Sequence, residues 1–181
     1  MEYLNKIFNA DGLTGMDVYP DKSIDLILCD MPYGMTNCKW DKSAFSLPHM
    51  WRQYERIIKD NGAIVLTAAQ PFTTDLINSN RKLFRYCWYW RKNMTTGFTF
   101  AKFQPLRCME DICVFYKKAP TYNPQGIIYH EKPIVRRGRK DNKSGDFIYD
   151  ADTLRKDTVT HISNYPRNIL DIKCERGLHP T

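Results

Sequence analysis

The sequence predicts an α/β fold built on a parallel-dominated sheet. Three observations carry that prediction. Strand-like and helix-like segments alternate through the first two thirds of the 181-residue chain. The run Ile24-Asp25-Leu26-Ile27-Leu28-Cys29 has the length and apolar composition of a buried parallel strand. It ends on Asp30-Met31-Pro32-Tyr33-Gly34, at the carboxyl end of a strand, where open α/β sheets place their ligands.

The elements follow in chain order. Residues 6–11 read as a short strand ending in the carboxylate of Asp11, and residues 24–29 as the second strand. From 49 to 59 the apolar positions Met50, Trp51, Tyr54, Ile57 and Ile58 fall on one helical face, with Asn61-Gly62 as the helix stop. Residues 63–68 are a third strand, and Pro71 suits the first turn of a short helix through about Asn78. Two aromatic or β-branched runs, 84–90 and 111–116, are further strands. Beyond Tyr116 the character changes. Prolines, glycines and tyrosines accumulate without clear periodicity, which predicts an inserted, loop-rich module. The expected boundaries are 1–119 for the main domain, 120–164 for the module and 165–181 for a connector.

A chain of this length fits one domain with a small appendage, and 43% hydrophobic residues supply a core. The start has no apolar signal region, and no stretch approaches the roughly 20 apolar residues of a membrane span. The expectation is a soluble, cytoplasmic protein without a membrane partner. Six cysteines without a Cys-x-x-Cys pair read as reduced, buried thiols. His49, His130 and His161 lack partners at metal-ligand spacing, so no metal is assigned. Net charge is +7. Residues 132–143 hold six cations (Lys132, Arg136, Arg137, Arg139, Lys140, Lys143) against the single anion Asp141. That cluster suits a polyanion, a solvated basic loop being the alternative. If all six met phosphates of B-DNA, log affinity would fall with log salt at a slope of roughly −5. Tyr122, Tyr129 and Tyr149 could stack on bases or pack within the module.

The residues after the second strand carry the chemistry. Asp30, with the carbonyl of Met31, can accept hydrogen bonds from the exocyclic amino group of a planar base. Pro32 fixes its own backbone φ and holds that carbonyl in place. The ring of Tyr33 can stack on the base. Such acceptors pull the amino nitrogen toward tetrahedral geometry and make its lone pair a usable nucleophile toward an electrophilic methyl group. The alternative is an ordinary strand-to-loop turn containing Pro and Gly. Trp40 and Asp41 read as loop residues outside the chemistry.

On these residues the chain resembles the permuted, β-group DNA amino-methyltransferases, which methylate adenine N6 or cytosine N4 using S-adenosylmethionine. Asn9-Ala10-Asp11 resembles the family's opening Asn-x-Asp, and Asp30 to Gly34 its catalytic Asp-Pro-Pro-Tyr motif, with Met31 in place of the first proline. Pro105-Leu106-Arg107 with Glu110, running into Ile112 to Lys118, resembles a later strand and its approach. Leu178-His179-Pro180-Thr181 resembles the start of the segment that introduces the cofactor half.

The resemblance implies a Rossmann-like methyltransferase sheet, incomplete because no Gly-x-Gly occurs among the nine glycines. It implies an adenine-specific DNA methyltransferase, of the kind found in restriction–modification, acting on an extruded base in double-stranded DNA. Asp30, Pro32 and Tyr33 would be catalytic. Asp11, Asp30 and His179 would touch the cofactor, and Arg136, Arg137, Arg139 and Lys140 the DNA. In the related fold, strands absent here would separate the strand ending at Asp11 from that ending at Asp30 by about 14 Å. A second polypeptide would fill the gap, the N-terminal strand would pair elsewhere, or the chain would fold poorly. Weak or absent S-adenosylmethionine binding is the corresponding expectation. A non-catalytic DNA-binding remnant and one half of a split enzyme are the alternatives.

Overall fold

The computed structural model describes residues 5–34, 38–39, 41, 46–138 and 157–174. The elements are β1 (Ile24–Cys29), α1 (Leu47–Ile57), β2 (Ile58–Ala68), α2 (Phe72–Ser79), β3 (Phe84–Thr96), β4 (Arg107–Phe115), β5 (Ile128–Arg136), β6 (Thr158–Ser163) and β7 (Ile169–Asp171). Two short 3-10 helices, Thr14–Val18 and Phe98–Phe100, complete them. The chain divides into two units, Met1–Thr121 with Asn168–Thr181, and Tyr122–Arg167.

The first unit holds a five-stranded sheet in the order β1-β2-β4-β3-β7. It is mixed, not parallel-dominated. β1–β2 and β3–β7 are parallel, while β2–β4 and β3–β4 are antiparallel. The reason lies in one connection. Residues 97–106 return the chain directly from β3 to β4, and a parallel pairing needs a crossover of a dozen residues or more. β7 adds an edge strand inside the stretch expected to be a connector.

The helical face read from the sequence is the one that packs. Met50, Trp51, Tyr54 and Ile57 of α1 are buried, and the first three form one core with Ile64, Leu66 and Ala68 of β2, Cys113 and Phe115 of β4, and Leu76 of α2. The Trp51 ring lies 4.8 Å from that of Phe115, and its indole N–H donates to Ser79 Oγ at 2.7 Å, tying α1 to α2. Ser46 caps α1, its side chain accepting from the His49 N–H.

The stop at Asn61-Gly62 is different. α1 ends at Ile57 and runs straight into β2, with Asn61 and Gly62 inside the strand. There the register jumps from Ile24↔Ile58 to Leu26↔Ala63, a bulge on β2. Gly62 is required by close approach: a Cβ there would stand 2.8 Å from the Asp25 carbonyl oxygen. The expected strand at 6–11 does not form. Those residues have no ladder partner among the described residues, and Ile7 is fully exposed. An extended segment becomes a strand only when another strand takes up its backbone groups.

β1 is therefore an edge strand. Ile27 and Cys29 share the face of Ile64 and Leu66, which α1 and α2 cover. Leu26 and Leu28 lie on the other face, 55% and 70% exposed. The six cysteines are free thiols, but only Cys113 is fully buried and Cys38 is exposed. No helix among the described residues is long and apolar enough to cross a membrane.

Among its described residues the second unit holds an antiparallel ribbon of β5 and β6, where the sequence predicted no regular elements. Its register shifts between Tyr129 and Ile134, around Pro133. Ile128, Tyr129, Val135 and Val159 are all exposed. A ribbon with solvent on both faces imposes no polar–apolar alternation, so the sequence shows none.

Candidate functional site

The site forms where β1, β2 and β4 meet the loop after β1. Asp30 directly follows β1 and is exposed, Met31 turns into the core, and Pro32 and Tyr33 are half-buried. Gly34 then takes φ +71°, which favours glycine, and its N–H donates to Asp41 Oδ1 at 2.8 Å. Asp41 is buried. It is therefore an anchor of the loop's backbone, where the sequence suggested a bystander.

Three oxygen-bearing side chains converge on the Tyr33 hydroxyl. It lies 2.9 Å from Asp30 Oδ1, 2.7 Å from Thr67 Oγ1 and 2.9 Å from Glu110 Oε1. The Thr67 hydroxyl donates to Asp30 Oδ1, and Lys92 pairs with Glu110 Oε2. Two hydroxyl protons thus serve two carboxylates. Thr67 supplies Asp30, and the phenol donates to one carboxylate at a time. Burial, then the charges of Glu110 and Asp30, push the Tyr33 phenol well above its ordinary range. It stays protonated and acts as a donor at neutral pH. The Tyr33 ring stacks on Phe72, with centroids 5.5 Å apart and planes at 22°.

The sheet explains why these residues meet. Thr67 pairs with Ile112, two residues from Glu110, and Trp90 pairs with Glu110, two residues from Lys92. Side chains two apart on a strand share a face, so β2, β4 and β3 present Thr67, Glu110 and Lys92 to one side of Tyr33. The Lys92 ammonium also lies 4.8 Å from the Trp90 ring.

The other expected residues lie elsewhere. Asp11 is exposed, and its Oδ1 accepts from the N–H groups of Leu13 and Thr14 and from the Thr14 hydroxyl. Those bonds, led by the Thr14 N–H, lower its carboxyl below the usual range. Arg136 and Arg137 are exposed at the end of β5 in the second unit. Arg139, Lys140 and His179 lie outside the described residues. No group of three or more metal-ligating side chains comes together among the described residues. Thr67, Lys92 and Phe72 escaped sequence reasoning, while Glu110 entered it only within a motif match and Asp41 only as a loop residue.

No family model matches the chain, and no curated protein does. Solved structures do. The cytosine-N4-specific PvuII DNA methyltransferase superposes with a TM-score of 0.56 at 12% identity, over 96% of this chain and 58% of that one. M1.HpyAVI, solved as a complex with S-adenosylmethionine, gives a TM-score of 0.47 at 16% identity, over 77% of this chain and 62% of that one. The mixed sheet and its helices thus share the fold of the PvuII DNA methyltransferase. The chain spans about six tenths of the length of these two relatives.

Proposed function

We propose that this chain carries the base-gripping part of an S-adenosylmethionine-dependent DNA amino-methyltransferase, with adenine N6 as its target. The observation that carries this reading is Asp30. It is an exposed carboxylate at the carboxyl end of β1, oriented by Thr67 and Tyr33, in a sheet of the PvuII methyltransferase fold. Asp30 accepts from the amino group of an extruded adenine, and the Met31 carbonyl offers a second acceptor. With one hydroxyl proton already on Asp30 Oδ1, its other oxygen is the natural acceptor for the base. The exposed part of Tyr33 stacks on the base, while Phe72 backs its ring and Pro32 shapes the turn. Reaching the base requires extrusion from the duplex, which costs a few kcal/mol.

Asp11 and Asp30 are two exposed carboxylates suited to the hydroxyl and amino groups of S-adenosylmethionine, and they are the described residues that would hold it. When bound, that cofactor supplies the electrophilic methyl group. His179 completes the assignment on the cofactor side, and Arg136, Arg137, Arg139 and Lys140 on the DNA side. A second reading, one half of a split enzyme, is favoured by the exposed apolar face of Leu26 and Leu28, which a second polypeptide would cover.

The test is methyl transfer from labelled S-adenosylmethionine at saturating concentration to unmethylated duplex DNA of mixed sequence. Label should appear in N6-methyladenine and fall about a hundredfold with Asp30→Ala, the scale for losing one preorganised polar contact. Label in N4-methylcytosine would move the target to cytosine. DNA binding without transfer would leave the non-catalytic reading.

A further inference from the structure

The β3–β4 hairpin carries a feature that the base-gripping site does not use. β2 and β3 both run antiparallel to β4, so β1, β2 and β3 end at the same edge of the sheet. Asp30 and Thr67 stand at that edge. β3 and β4 continue past the level of Glu110 to the pair Thr96↔Arg107. The hairpin is therefore an arm that rises beyond the site on the site's own side.

Its tip exposes three rings: Phe98 at 68%, Phe100 at 56% and Phe103 at 87%. They are presented by a formed turn. Gly97 takes φ +91°, the Phe100 N–H donates to the Gly97 carbonyl at 2.9 Å, and the Phe103 N–H to the Phe100 carbonyl at 2.9 Å. From Arg91 to Met109 the sequence has four cations and no acidic residue. Two of the four are engaged, Arg91 with Asp171 and Lys92 with Glu110. Lys102 and Arg107 are exposed on the arm. Rings that gain nothing from the protein's own core, flanked by cations without acids, match a stacked, polyanionic partner.

We propose that this arm wedges phenylalanine rings into duplex DNA beside the extruded nucleotide, with Lys102 and Arg107 on neighbouring phosphates. The proposal rests on the base-extruding reading above. Extrusion leaves an unstacked step in the helix, and a ring placed there restores part of the lost stacking.

The experiment measures binding of the full chain to two labelled duplexes of the same mixed sequence, one intact and one with a single abasic site. The wild-type chain should prefer the abasic duplex, where the gap already exists. The variant Phe98→Ala/Phe100→Ala/Phe103→Ala should bind both duplexes at least about tenfold more weakly and lose the preference. Because the rings are exposed, its circular dichroism should match the wild type. Phe103→Trp should keep the preference and report stacking as fluorescence quenching. Equal affinity of the triple-alanine variant and the wild type would overturn the proposal. So would quenching of Phe103→Trp by anionic phospholipid vesicles and not by DNA. Asp30→Ala separates the two readings, since it should lower methyl transfer about a hundredfold and leave the arm's preference intact. Transfer without an arm effect sinks the wedge alone, and an arm effect without transfer sinks the methyltransferase alone.

Discussion

Tyr33 shows what a single residue gains from its neighbours. Its phenol holds its proton where the unfolded chain loses one, above about pH 10. The folded value is raised, so its contribution to stability is complete below that pH and is lost as pH rises toward the folded value. Tyr54 shifts in the same direction, through burial and then Cys29. Urea midpoints should therefore fall between about pH 9 and about pH 11, and Tyr33→Phe should fall less over that interval than the wild type. An equal fall in both would remove the phenol from the account. Asp30 and Tyr33 were legible because they sit three positions apart, beside an unmistakable strand end. Thr67 left no mark, and Glu110 only its place in a motif match, because they lie 34 and 77 residues from Tyr33 and reach it only through strand pairing. Asp41 gave no sign because its burial and its bond from the Gly34 N–H, seven residues away, leave no local pattern.

At the scale of elements, periodicity served the helix and misled at its end. Met50, Trp51, Tyr54 and Ile57 mark the buried face of α1, yet Asn61-Gly62 is a bulge in β2 and not a stop. Asn-Gly says that the backbone departs from regularity, and both a helix end and a bulge satisfy it. Sheet direction was illegible for a related reason: the run 97–106 could be read as part of a crossover until β3 and β4 were seen to extend to its ends. Gly62→Ala tests the bulge. Its methyl would meet the Asp25 carbonyl oxygen and Ile58 at 2.8 Å, while at Gly12 nothing lies within 4 Å. Denaturant unfolding should show Gly62→Ala destabilised by about 1–3 kcal/mol and Gly12→Ala nearly unchanged. Equal effects would refute the close approach.

For the whole molecule, the covered and uncovered faces of the sheet matter most. α1 and α2 bury one face, and on the other the edge strand β1 shows Leu26 and Leu28. Exposed apolar edges invite association. Sedimentation should find concentration-dependent self-association, reduced by Leu28→Lys, and a chain equally monomeric with either residue would contradict this. The α/β class and the strand-end site were readable from residues 24–34, whereas the β5–β6 ribbon, wet on both faces, left no period to read. The central claim is that Asp30 grips an exocyclic amino group. The direct measurement is the chain's affinity for a short single-stranded oligonucleotide containing one adenine, against the same oligonucleotide with purine, which lacks only that amino group. A hydrogen bond to a charged acceptor is worth about 1.5–3 kcal/mol, so adenine should bind about tenfold or more tightly, and Asp30→Ala should erase the difference. Equal affinity of the wild-type chain for adenine and purine would contradict the account.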